Sequence, residues 1–142
     1  MAKSGPIIII EDDGDDQEII EDIFKELATI NKRIFFANPL EAFTYLKTTT
    51  EQPFIILCDV NLPLQNGLEF KQQIEADIEL KLKCIPFIFF TTSADKIIVR
   101  KAYQDMTVQG FFQKENTLGW LKNSLSLITG YWTMCKHPTS EV

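Results

Sequence analysis

At 142 residues, with 45% hydrophobic and 24% charged side chains, the chain has the size and composition of one folded domain with its own core. A net charge of −6 repels a nucleic-acid phosphate backbone, and no Lys/Arg run offsets it. Three cysteines (Cys58, Cys84, Cys135) follow no metal or disulfide spacing, and the N-terminal apolar run Ile7–Ile10 is too short for a signal peptide or a membrane span, so the expectation is a cytoplasmic protein that binds neither nucleic acid nor membrane.

Short apolar runs alternate with amphipathic stretches along the chain. Ile7–Ile10 comes first and reads as a strand buried on both faces. Asp15 or Asp16 can cap the helix after it, with Ile19, Ile20, Ile23, Phe24 and Leu27 at helical spacing. The second run is Arg33–Ala37; Pro39 then opens a helix whose apolar face carries Leu40, Ala42, Phe43 and Leu46. The third run, Phe54–Cys58, precedes a helix beginning near Asn66 and Gly67 and carrying Leu68, Phe70 and Ile74. Phe87–Phe90 precedes a fourth helix over Ala94–Gln104. Gly110–Phe112 precedes a fifth over Thr117–Ile128, with Leu118, Leu121, Leu125 and Ile128 as its inner stripe.

This order predicts an α/β fold: a doubly wound five-stranded parallel sheet with five helices, (βα)5 and flavodoxin-like. The whole chain, 1–142, reads as a single domain, with a core over about 6–131 and a polar tail over 132–142. Lone His137 in that tail reads as solvated. Trp120 and Trp132 read as packing or interface residues.

Ligands of an open parallel sheet bind beyond the carboxyl ends of its strands. Glu11, Asp12 and Asp13 follow the first run, Asp59 the third, Thr91, Thr92 and Ser93 the fourth, and Lys114 the fifth. Crowded carboxylates need a cation to stay ionised together, and an all-oxygen set favours a hard ion such as Mg²⁺. A carboxylate beside that ion can attack phosphorus and become an aspartyl phosphate. A lysine and a hydroxyl then offset charge on the phosphoryl oxygens. Each residue also has a plainer reading: Asp13, Asp15 and Asp16 as helix-capping acids, Asp59 as a turn residue, Thr91 as a strand-end hydroxyl, Lys114 as a solvated lysine. An EF-hand fails on spacing.

The motifs Ile7-Ile-Ile-Ile-Glu-Asp-Asp13, Leu57-Cys-Asp-Val-Asn-Leu-Pro63 with Asn66-Gly67, Pro86-Phe-Ile-Phe-Phe-Thr-Thr-Ser93 and Gly110-Phe-Phe-Gln-Lys114 resemble those of response-regulator receiver domains. The likeness runs from about Ile7 to Ile128, and its nearest flavour is the single-domain, chemotaxis-regulator-like receivers, including those that partner phytochrome-type sensor kinases. It implies that Asp59 is the phosphoacceptor, supplied by a phosphohistidine on a sensor histidine kinase or a histidine phosphotransfer protein. It implies Mg²⁺ bound by Asp12, Asp59 and the Asn61 backbone carbonyl, with Glu11 reaching it through water. Lys114 and Thr91 would bind the phosphoryl group, Thr92 would gate access to it, and Phe111 would be the rotating aromatic.

The resemblance also implies an output face made by the fourth helix, fifth strand and fifth helix, open to an unnamed downstream protein or to a second copy. The chain departs from the family's pattern at Glu115, where proline usually follows the lysine, and at Phe111, where tyrosine is commoner. A cis bond before Glu115 would cost about 2.5–4 kcal/mol, so a trans or a strained loop is expected there. Self-catalysed phosphoryl transfer and autodephosphorylation are the only chemistry expected. A Mg²⁺-dependent phosphatase on the same topology typically needs a second acid at position 61 and a cap insertion, and has Asn61 and no insertion here. A flavodoxin-like cofactor binder would need a phosphate loop after the first strand, where acids stand instead.

Overall fold

A computed structural model describes residues 2–92 and 94–136. A 3₁₀ turn at Ala2–Ser4 leads into β1 (Ile7–Ile10), α1 (Gly14–Glu26), β2 (Arg33–Phe36), α2 (Pro39–Thr48) and β3 (Ile55–Cys58). Then follow α3 (Gly67–Ala76), α4 (Ile78–Leu82), β4 (Phe87–Thr91), α5 (Lys96–Asp105), β5 (Gly110–Gln113) and α6 (Leu118–Met134). The five strands form one parallel sheet in the order β2-β1-β3-β4-β5. β1, β3 and β4 lie inside it and are buried on both faces. That explains why they read as unbroken Ile, Leu and Phe runs with no polar alternation.

Two apolar layers flank the sheet. On one side Ile8, Ile10, Ile56, Phe87 and Phe89 meet Ala42, Leu46, Phe70 and Ile74 of α2 and α3. On the other, Ile7, Ile9, Ile55 and Phe90 meet Ile20, Phe24, Leu125 and Ile128 of α1 and α6. Successive strand residues point to opposite faces, so each isoleucine of β1 serves one layer or the other. Edge strand β2 is tied down by Arg33, whose guanidinium grips Glu21 of α1 through two bonds of 2.9 and 2.7 Å. Arg33 also donates to the carbonyls of Thr29 and Asn31.

Four details correct the sequence reading. A sixth helix exists: α4 is five residues long and is capped by Asp77, which accepts from the Leu80 N–H. The N-cap of α1 is Asp13, accepting from the N–H groups of both Asp15 and Asp16, rather than either of those residues. Leu40 and Leu118 are exposed; Leu40 stands between buried Pro39 and Ala42 and points away from the face they share, and Leu118 is in the first turn of α6, ahead of its buried residues. The last helix continues beyond Ile128 to Met134 and so takes in the start of the segment read as a tail; His137 and the residues after it lie outside the described residues. No cis peptide bond occurs among the described residues, so Lys114–Glu115 is trans. No helix among them is long and apolar enough to cross a membrane.

Candidate functional site

The carboxyl ends of the strands are stitched together by backbone hydrogen bonds that bring the sequence-predicted residues to one place. The Glu11 N–H donates to the Phe36 carbonyl, that of Asp59 to Ile10, and that of Lys114 to Thr91. Neighbouring strands thus hold one another at the point where each delivers its polar side chain. Glu11, Asp12 and Asp59 each present a carboxylate oxygen, and these oxygens lie within 4.8 Å of one another. Glu11 is 3% exposed and Asp59 8%, whereas Asp12 faces solvent.

Lys114 reaches into this cluster. Its Nζ donates to Glu11 Oε2 at 2.7 Å and lies 3.7 Å from Asp59 Oδ2 and 3.8 Å from Asp16 Oδ2. The Thr91 hydroxyl, fully buried, donates to Asp59 Oδ1. The Asn61 N–H donates to the same oxygen, wrapping the loop after β3 around the carboxylate. Gly67, the first residue of α3, packs on that loop: its N–H donates to the Val60 carbonyl, and a Cβ there would stand 2.1 Å from the Asp59 carbonyl oxygen.

One ammonium cannot balance three carboxylates. Burial is the main force on Glu11 and lifts its pKa to about 7, outweighing the Lys114 hydrogen bond and charge, with the charge of Asp59 adding to the rise. Burial alone would lower the pKa of Lys114, but its hydrogen bond to Glu11 and the charges of Glu11, Asp59 and Asp16 raise it. A second cation would relieve the cluster. The donor set, carboxylates with two of them buried, suits a hard divalent ion that takes oxygen ligands.

Thr92 is exposed beside Thr91, while Ser93 lies outside the described residues. Phe111 is half-buried and packs against Phe89, ring centroids 5.4 Å apart. Of the residues singled out at strand ends, Glu11, Asp12, Asp59, Thr91 and Lys114 come to one edge of the sheet, with Asn61 beside Asp59, while Asp13 caps α1. Three participants were missed. Asp16 completes the acidic surround of Lys114, the Gln17 side chain donates to the Glu11 carbonyl, and the Cys58 thiol donates to the Asp59 carbonyl. Asp16 and Gln17 stand five and six positions past Glu11, so α1 folds its first turn back over β1; that return is a product of tertiary packing.

A sequence model of the response regulator receiver domain family matches residues 7–126. The response regulator Rcp1 of Synechocystis sp. is 27% identical over 131 residues, spanning 89% of this chain and 87% of Rcp1. The crystal structure of the phosphorylated cyanobacterial phytochrome response regulator RcpA superposes with a TM-score of 0.84 at 25% identity, covering 94% of this chain and 98% of RcpA. The Mn²⁺-bound form of Rcp1 superposes with a TM-score of 0.81 at 24% identity, covering 94% and 99%.

Proposed function

The chain belongs to the response regulator receiver domain family of two-component signalling, and we propose that it is a single-domain switch thrown by phosphorylation of Asp59. The observation that carries this reading is the meeting of the Asp59 carboxylate with Lys114 Nζ at 3.7 Å and with the Thr91 hydroxyl, beside the acidic cluster. An Oδ of Asp59 attacks the phosphorus of a phosphohistidine on a sensor kinase or a histidine phosphotransfer protein. The P–N bond breaks and the imidazole leaves with its electron pair. The Asn61 N–H and the buried floor of the site keep the carboxylate oriented for that in-line displacement.

Asp12, Asp59, the Asn61 carbonyl and, through water, Glu11 would hold a Mg²⁺ ion, which would supply positive charge to the phosphoryl oxygens. Lys114 gives up part of its contact with Glu11 and turns to a phosphoryl oxygen. Thr91, whose hydroxyl in this state donates to Asp59 Oδ1, turns to donate a hydrogen bond to a phosphoryl oxygen, and exposed Thr92 sets how easily water follows. Phe111 lies in register with Phe89, two residues before Thr91, and moves into the space that Thr91 vacates. The changed surface is that of α5, β5 and α6, where Ile97 and Tyr103 are exposed, and it serves a downstream protein or a second copy. The phosphorylated state known for RcpA and the Mn²⁺-bound form of Rcp1 support the same chemistry here.

Intact mass after incubation with acetyl phosphate and Mg²⁺ tests this directly. One base-labile phosphoryl adduct is expected on the wild type, and none on Asp59→Asn or without the metal. An adduct of equal yield on Asp59→Asn would overturn the assignment.

A further inference from the structure

At the other end of the sheet a cavity of about 270 Å³ opens between α3, α4 and the starts of β3 and β4. Phe87 lines it and opens β4, whereas Thr91 of the acidic site closes the same strand. The two sites therefore stand about 13 Å apart along the strand. The cavity walls are mostly apolar, with Leu46, Ile74, Leu80, Phe87 and Trp132 among them, and two lysines, Lys71 and Lys81, also line it; of these Lys71 is buried and Lys81 exposed.

Lys71 breaks the usual rule for lysine. Long cationic side chains normally lay their stems along apolar surface and keep the charge in water; the side chain of Lys71 is only 8% exposed. Its Nζ stands 5.1 Å from the centre of the Phe87 ring and 3.5 Å from Glu75 Oε1. That Glu75 oxygen already accepts the Thr107 N–H at 2.6 Å. The ammonium is thus removed from water and faces a single carboxylate oxygen that is shared with a backbone donor. Burial in these surroundings depresses the Lys71 pKa, the charge and hydrogen bond of Glu75 only partly opposing it. Desolvation in an apolar pocket makes a lysine amine more nucleophilic, and the charge of Lys81 acts in the same direction; Glu75, 3.5 Å away, is placed to carry protons.

We propose that this cavity binds small aromatic or branched aliphatic aldehydes and that the Lys71 amine captures them reversibly as an imine. A dry cavity of about 150 Å³ holds one benzene-sized molecule, so this one has room for a substituted ring. In the fraction of molecules whose Nζ is unprotonated, its lone pair attacks the carbonyl carbon while the C=O π pair moves to oxygen. Glu75 takes the proton from nitrogen and returns it to that oxygen, giving a carbinolamine. The nitrogen lone pair then forms C=N as the hydroxyl takes a proton from the Glu75 carboxyl and leaves as water, and the Glu75 carboxylate takes the remaining N–H proton of the iminium to give the imine. Hydrolysis runs the same steps backwards, and no oxidant or reductant is consumed.

The test uses the full chain with benzaldehyde and cyanoborohydride, which fixes an imine as a benzylamine, followed by intact mass and peptide mapping. Lys71 is expected to be labelled at least about tenfold faster than the exposed Lys32 and Lys122. Toluene, which fills the cavity without reacting, is expected to protect Lys71 and leave those two unchanged. Glu75→Gln is expected to slow labelling of Lys71 alone, with its folded state checked by circular dichroism. Labelling spread evenly over the exposed lysines with Lys71 spared, or Lys71 labelling that toluene does not touch, would overturn the proposal.

Discussion

Alanine in place of Gly67 would put a methyl carbon 2.1 Å from the Asp59 carbonyl oxygen and 3.0 Å from both the Asp59 carbonyl carbon and the Val60 Cα. All three atoms are backbone, so no side chain can swing aside. Ordinary carbon–oxygen contact lies more than an ångström further out, and α3 or the β3–α3 loop must move by that much. Withdrawal of α3 is opposed by the Gly67 N–H bond to the Val60 carbonyl, 2.8 Å long, and by the buried Leu68, Phe70 and Ile74 that follow. Overpacking of a tight contact costs about 1–3 kcal/mol, and loss of the hydrogen bond about 1 more, so Gly67→Ala should destabilise the fold by about 2–4 kcal/mol. Because the contact falls on the residue proposed to take the phosphoryl group, the rate of Asp59 phosphorylation by acetyl phosphate should drop as well. Urea unfolding by circular dichroism, paired with the mass assay, measures both. A midpoint that moves by less than the equivalent of about 0.5 kcal/mol, with labelling unchanged, would show that the packing argument is wrong.

Other perturbations test the electrostatics and the sheet edge. Glu11, lifted to about 7 when folded against 4.5 as a free side chain, keeps a proton in that window which the unfolded chain has already lost. Metal-free stability should therefore be highest below the window, fall as pH rises through it, and level off above. Mg²⁺ must displace that proton, so its affinity should climb over the same window and then plateau; calorimetry in two buffers of different ionisation enthalpy would detect the released proton, and a flat affinity would refute the assignment. Lys114→Met leaves Glu11 and Asp59 without their cation, so the metal-free protein should lose about 3–5 kcal/mol while Mg²⁺ binds roughly tenfold tighter, read by thermal melts with and without the ion. Arg33→Ala removes the two bonds to Glu21 and those to the Thr29 and Asn31 carbonyls; about 2–3 kcal/mol should be lost in urea unfolding, with phosphorylation of the folded fraction untouched.

How much of this was legible follows from which interactions are local. The strands announce themselves because a strand buried on both faces tolerates nothing but apolar residues, as Ile7–Ile10 and Phe87–Phe90 show. Once the strands are placed, the parallel order forces Glu11, Asp59, Thr91 and Lys114 to one edge, and the structure brings them together there. Helix ends were harder. The N-cap of α1 falls to Asp13, in a run where any of several acids could cap, and helix α4 is too short to show a period. Leu118 matches the apolar rhythm, but helical spacing alone does not say how far a helix overhangs the sheet. Lys71 was passed over for the opposite reason. Its position one residue before Gln72 and three before buried Ile74 puts it on the inner face of α3, yet its charge reads as solvent-facing until the cavity around it is seen.

The Lys114–Glu11 bond joins residues 103 positions apart, and the strand that supplies the lysine is the last of the five to be synthesised. While a chain is still emerging from the ribosome, β1 and β3 can pair and set Glu11 beside Asp59 with no lysine to offset them. That half-built edge is self-repelling, and it holds only part of the group that would receive a phosphoryl transfer. Translation therefore imposes an order of its own: the edge is electrostatically complete only once the fifth strand has docked.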